Sequence, residues 1–147
     1  MKRKPVKKTT KKPLKKKERP GVKKLESIPS LTKKAQTIFN KYIRNRDSSN
    51  GYFVCISCGG EHPVSKMNAG HYVPVKNSSL LRFNEFNTNG ECITCNLFDQ
   101  FHLIGYRKRL IDKIGSNAVD WIESQGRISK KWTREELQDI IKTYGKR

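Results

Sequence analysis

An α+β fold, with a small cross-linked ββα core, flanking helices and a basic tail in front, is predicted by three observations on this 147-residue sequence. Two Cys-x2-Cys pairs, Cys55/Cys58 and Cys92/Cys95, each sit beside a short apolar run, as ligand pairs at strand ends do. The segments before and after them carry apolar residues at helical spacing, while the stretch between them is broken into short runs by Gly, Asn and Ser. Residues 1–24 hold 13 of the 32 Lys+Arg but 1 of the 13 Asp+Glu, a composition that cannot bury enough apolar surface to offset chain entropy.

In chain order, the Lys-rich stretch 1–24, with Pro5, Pro13 and Pro20, is expected to be disordered. Residues 25–50 follow as a helix and loop. Leu31, Ala35, Ile38, Phe39, Tyr42 and Ile43 fall on one face of a helix running from Leu31 to about Arg46, and Lys33, Lys34, Lys41 and Arg44 on the other. Asp47 to Gly51 reads as the loop that ends it. The core is assigned to residues 51–115: Tyr52-Phe-Val54 is a strand entering the first cysteine pair, His71 to Val75 a second strand, and Asn96 to Ile114 a helix fed by the second pair. Leu97, Phe101 and Ile104 mark that helix's expected buried side, and Gly115 its C-terminal cap. In residues 116–147, Ser116 is placed to cap a short helix containing Val119, Trp121 and Ile122, which Gly126 would stop. Thr133 and Glu136 have capping-box spacing ahead of Leu137, Ile140, Ile141 and Tyr144.

The formal net charge of +19 divides into +12 on residues 1–24 and +7 on the rest. Both parts therefore favour a polyanion, whose counterions Lys and Arg release on binding. No long apolar run offers a membrane span, no apolar stretch of signal-peptide length follows the charged start before residue 31, and nucleic acid suits the chain better than a lipid surface. A reducing compartment, the cytoplasm, is the expected location, where four cysteines serve metal rather than disulfides.

Two Cys-x2-Cys pairs can wrap opposite edges of one tetrahedral zinc ion, which makes Cys55, Cys58, Cys92 and Cys95 the candidate structural site; His62 is an alternative ligand. The 33 residues between the pairs exceed the about 15–20 of a simple zinc ribbon, so something else is held there. His71, then Asn87, then Asn96 after Cys95 follow the order of HNH nucleases with a ββα-metal core. In that reading a hairpin presents the His, a loop supplies the Asn and a helix supplies a metal ligand. A neutral imidazole suits His71 to act as general base towards water at physiological pH. The amide of Asn87, donor and acceptor at once, suits it to orient the His-bearing strand. A hard divalent ion, Mg²⁺ or Mn²⁺, would stabilise phosphoryl charge, with Asn96 the first-choice ligand and Asp99 or His102 as further candidates at helical spacing. Many HNH members carry Asp directly before the His; here that residue is Gly70.

Tyr42-Ile-Arg-x-Arg-Asp47, Cys55-x2-Cys58-Gly, Ala69-Gly-His71-Tyr, Leu81-Arg-Phe-Asn84, Asn87, Cys92-x2-Cys95-Asn96 and Tyr106-Arg107 together resemble the NinG (Rap) recombination proteins of lambdoid phages and prophages, over roughly residues 31–115. The resemblance implies a structure-specific endonuclease that cuts branched DNA such as Holliday junctions and D-loops with Mg²⁺ or Mn²⁺, in the cytoplasm of a bacterial host. Two departures stand out. Asn68 replaces an Asp that the family usually has three residues before its His, and Gln100-Phe101-His102 replaces Ser-Gly-Asn.

The reading is thus a DNA endonuclease with Arg82, Arg107, Lys108, Arg109, Lys41 and Arg44 as candidate phosphate contacts. A homodimer would suit a symmetric junction, although no sequence feature establishes one. The rival reading is a zinc-ribbon DNA-binding protein without catalysis, working through Arg82, Arg107, Lys108 and Arg109. An RNA-binding zinc protein ranks last, since Phe53, Phe83 and Phe86 form no recognisable base-stacking motif.

Overall fold

The computed structural model describes residues 25–146, and the tail expected to be disordered lies outside them. The first helix, α1 (Ile28–Arg46), begins three residues before the apolar periodicity does. Ser27 caps it by accepting from the Ser30 amide, and Pro29 occupies its first turn, where no amide partner is needed. Leu31, Ala35, Phe39 and Ile43 are buried on one stripe against Phe83 and Leu137, the latter from α5 (Arg134–Gly145). Edge-on ring contacts join Phe39 to Tyr144 at 4.9 Å and Phe83 to Trp132 at 5.0 Å. The predicted capping box of α5 is present, with Thr133 and Glu136 each satisfying the other's backbone amide.

What reads as a loop after α1 is a hairpin. Strands β1 (Ser48–Ser49) and β2 (Tyr52–Val54) pair antiparallel through Asn50-Gly51, both at positive φ, the backbone that a two-residue turn between right-twisted strands requires. β3 (Glu61–Pro63) completes this sheet. A second, two-stranded ribbon is made by β4 (Met67–His71) and β5 (Thr88–Cys92), in register from Met67 opposite Cys92 to His71 opposite Thr88. This corrects the sequence expectation of a strand from His71 to Val75: His71 ends a strand instead of starting one. Beyond it Tyr72 turns into a core of Ile56, Leu81, Tyr106, Leu110, Val119 and Ile122.

The single helix expected from Asn96 to Ile114 is two. α2 (Ile93–Phe98) starts earlier, capped by the Cys92 sulfur, so Asn96 lies within it. Asp99 then accepts from the Phe101 amide at 2.8 Å, a local bond that competes with helix continuation and breaks the chain before α3 (His102–Ile114). The break rotates the apolar pattern out of phase. Leu97, Phe101 and Ile104, expected to be buried, are 61%, 73% and 74% exposed, while Tyr106 and Leu110 fill the core. Gly115, at φ +84 and ψ 155, joins α3 to α4 (Ser116–Ser124) and flanks both; Ser116 is the first residue of α4 and not its cap. α4 buries Val119 and Ile122 but leaves Trp121 half exposed.

Candidate functional site

Cys55, Cys58, Cys92 and Cys95 bring their sulfurs within 4.8 Å of one another, and among the described residues no other group of three or more His, Cys, Asp or Glu converges in this way. Each cysteine is positioned by backbone. Cys55 follows β2 and its sulfur accepts from the Cys92 amide at 3.3 Å; the Cys92 sulfur accepts from the Cys95 amide at 3.4 Å; the Cys58 sulfur accepts from the Gly60 amide at 3.5 Å. Amides aimed at sulfur favour thiolate, the form that binds metal. Burial pushes the Cys58 thiol up, but hydrogen bonds from His62 and the Gly60 amide outweigh this and bring it down to about 6. Burial and the neighbouring sulfurs push Cys95 the other way. Four sulfurs this close repel one another once ionised, and a zinc ion, which the set could hold, would remove that conflict. His62, the alternative ligand, stands 3.6 Å from Cys58 Sγ, outside the four-sulfur group, in a position to orient that sulfur.

Arg109 secures the first cysteine turn from behind. Its guanidinium donates to the Ser57 and Cys58 carbonyls at 2.5 and 3.0 Å and crosses Gly59, where a Cβ would collide with it. Sequence reasoning offered Arg109 as a phosphate contact; its hydrogen bonds are spent on the fold. Arg107 is similarly engaged, with Glu123 at 2.7 Å and Asp120 at 3.4 Å. Lys108, Lys41 and Arg44 are exposed, Arg44 also donating to the Val64 carbonyl.

Around the end of β4, His71 and Asn87 do come together. Asn87 is fully buried: its Oδ1 accepts from the Val73 amide at 2.8 Å, and its Nδ2 donates to the Val73 and Leu81 carbonyls at 3.0 and 3.3 Å. Its own carbonyl takes the Tyr72 amide. Asn87 thus clamps the two residues after His71. His71 Nε2 lies 3.0 Å from the Arg82 carbonyl. A carbonyl only accepts, so Nε2 carries the proton and Nδ1 keeps its lone pair. Burial lowers the His71 pKa, and the positive charge of Arg82 opposes protonation further, against the pull of that carbonyl. The Arg82 guanidinium donates to Gln36 and makes no ion pair among the described residues.

Glu91 is the residue that sequence reasoning missed. It is fully buried on β5, with Oε1 bonded to Ser57 Oγ and 2.6 Å from His102 Nδ1, while Oε2 has no hydrogen-bond partner. A Cβ on Gly70 would overlap that Oε2, so glycine is what lets the carboxylate lie there. An acid directly preceding a metal-type cysteine, in a run otherwise fit for a buried strand, was the available signal. Of the other predicted ligands, Asn96 is half-buried on α2 and Asp99 is exposed and used in the turn before α3.

No helix among the described residues is long and apolar enough to cross a membrane. No solved structure matches the chain significantly. Relatives do: the chain is 40% identical over 112 residues to "Protein ninG" of Escherichia phage lambda, covering 76% of this chain and 52% of that protein. It is 39% identical over 112 residues to "Protein ninG" of Salmonella phage P22, covering 76% and 53%. The chain spans about half the length of these curated relatives. The family model described as "Bacteriophage Lambda NinG protein" matches residues 1–147, and with the relatives it establishes that the chain belongs to the NinG family.

Proposed function

We propose that the protein is a divalent-metal-dependent DNA endonuclease of the HNH type, with a structural zinc on its four cysteines and branched DNA as its preferred substrate. The observation that carries this reading is the pairing of His71 with Asn87. A half-buried imidazole has its Nε2 proton committed to a backbone carbonyl and its Nδ1 lone pair left over, at the end of a strand whose continuation is locked by a buried amide.

The chemistry follows from the tautomer. His71 Nδ1 takes a proton from a water molecule as its oxygen bonds to phosphorus; the bond from phosphorus to the leaving oxygen breaks, and that oxygen is protonated by solvent. A bound Mg²⁺ or Mn²⁺ would stabilise charge on the phosphoryl and leaving oxygens. Arg82, a cation without an acidic partner among the described residues, whose carbonyl already holds His71, would draw a phosphate towards the imidazole. Asn87 contributes rigidity, keeping the residues after His71 from following the substrate. Lys41, Arg44 and Lys108 supply charge for the flanking duplex.

The test is incubation with a four-way junction, its linear arms and single strands, with Mg²⁺, Mn²⁺ or EDTA. Cleavage that needs the metal and falls by about 10²–10⁴-fold in His71→Ala with DNA binding retained supports the reading. Binding without cleavage under every metal condition would replace it with the non-catalytic DNA-binding alternative.

A further inference from the structure

We propose that Phe98 and Phe101, at the break between α2 and α3, form an apolar wedge that enters a DNA branch point and stacks on the base exposed there. The nuclease reading supplies the partner, DNA; the wedge concerns how a branch is told from a continuous duplex. Between Leu97 and Ile104 four large apolar side chains stand 61–74% exposed, Phe98 at 74% and Phe101 at 73%. The turn puts them there. Asp99 Oδ1 accepts from the Phe101 amide where α2 ends, and α3 resumes in a phase that sends Tyr106 and Leu110 into the core instead. So many bare apolar side chains in so short a segment mark a contact surface.

What the surface meets follows from its support, its neighbours and its size. Beneath it α3 is held tightly: a Cβ on Gly105 would collide with the Ser57 carbonyl, Arg109 donates to that same carbonyl, and the buried Tyr106 donates its hydroxyl to the Gly70 carbonyl. A wedge must resist the base stack it parts, and this one is braced. The His71 end of the ribbon is close by. His102, next to Phe101, lies 2.6 Å from Glu91, and Glu91 rests against Gly70, the residue before His71. Charge fits the same partner: Ile104 and the exposed Lys108 follow Phe101 along one stripe of α3, so surface for a base gives way to a cation for phosphate. Asp99, the one acid from Leu97 to Ile104, has Oδ1 occupied by the turn. Size argues against a second copy of the chain, because four such side chains expose on the order of 500 Å² where a stable interface buries about 800 Å² per partner. A stacked base needs only the face of one ring. Bases at a branch are already unstacked, so insertion there is cheap, whereas in a duplex the stack must first be opened.

The experiment measures binding of the full-length, zinc-loaded protein to a four-way junction and to its linear arms, without added Mg²⁺ or Mn²⁺. The double variant Phe98→Ala, Phe101→Ala is expected to lose more than about fivefold in junction affinity while the linear arms are bound within about twofold of wild type. Phe101→Trp, which keeps a stacking face, is expected to retain the junction preference. Because both rings are exposed, all variants should keep the wild-type thermal unfolding curve. An unchanged ratio of junction to linear affinity in the double variant overturns the wedge, as does equal weakening on both DNAs. Sedimentation of the free protein tests the rival occupant: a dimer that the double variant dissolves would give the patch to a second copy and overturn the proposal. Cleavage with Mg²⁺, measured in parallel, separates the two readings. Cutting by the double variant with wild-type junction preference leaves the nuclease standing and sinks the wedge, whereas junction binding that needs the rings, in a protein that cuts nothing, leaves the wedge standing and sinks the nuclease.

Discussion

At His71 the direction of the pKa shift makes a stability statement. Burial and Arg82 hold the folded-state value below the ordinary 6.5, so the unfolded chain binds this proton more readily than the folded one. The resulting stabilisation is fully present above about pH 6.5 and is lost as pH falls through that value towards the lower folded pKa. Thermal unfolding followed from pH 7.5 downward should therefore show a loss that is smaller in His71→Gln; identical pH profiles would mean that the imidazole is not held neutral. Asn87 makes a different kind of contribution. Asn87→Ala deletes three hydrogen bonds of a buried side chain and strands the Val73 amide, and a loss of about 2–4 kcal/mol in denaturant unfolding is expected. That these two residues adjoin was legible in the sequence, from their order around the cysteine pairs. Glu91 was not, because its meaning depends on Gly70, 21 positions away in the chain and adjacent only once β4 and β5 pair.

Among the elements, the connection at Gly115 gives the cleanest backbone test. Its φ of +84 with ψ of 155 belongs to a region that side-chain-bearing residues scarcely enter, yet a Cβ there would touch nothing within 4 Å. Gly115→Ala should therefore cost about 1–3 kcal/mol in chemical denaturation through backbone strain alone, with no clash contributing. The cysteine segment, whose four sulfurs could hold zinc, is tested through metal instead. Among the described residues the core around the sulfurs has only Phe53 and Met67 besides the cysteines, so removing zinc with a strong chelator should abolish the near-ultraviolet circular dichroism of this region and release thiols to titration. Retained signal with four reactive thiols would show that zinc is dispensable. The stripe of α1 and the stripe and capping box of α5 were readable since they are local. The break at Asp99 was hidden, because one side-chain hydrogen bond to a backbone amide shifts every later residue to a new face. The Asn50-Gly51 turn carried a clear hairpin signal that a two-residue strand on its near side made easy to overlook.

For the molecule as a whole, charge and shape should separate by truncation. Deleting residues 1–24 removes +12 and should weaken binding to every DNA alike while flattening the dependence on salt, because a run of lysines reads phosphate charge and not geometry. Preference for a junction over its linear arms, compared by single-turnover rates, should remain with residues 25–147, since unstacked branch points present a strand to His71 at lower deformation cost. A preference lost with the tail would put selectivity in the wrong part of the chain. The pairing of α1 with α5 bears on something else, the order in which the chain is made. Of the described helices, α1 leaves the ribosome before α5, which covers its apolar stripe, and the Arg134 guanidinium reaches back to the Glu26 carbonyl. Until α5 emerges, Phe39 and its neighbours are bare on the nascent chain. The motif-bearing stretch 31–115, expressed alone, would keep every residue proposed for chemistry and still expose that stripe, so it should aggregate where the longer chain folds.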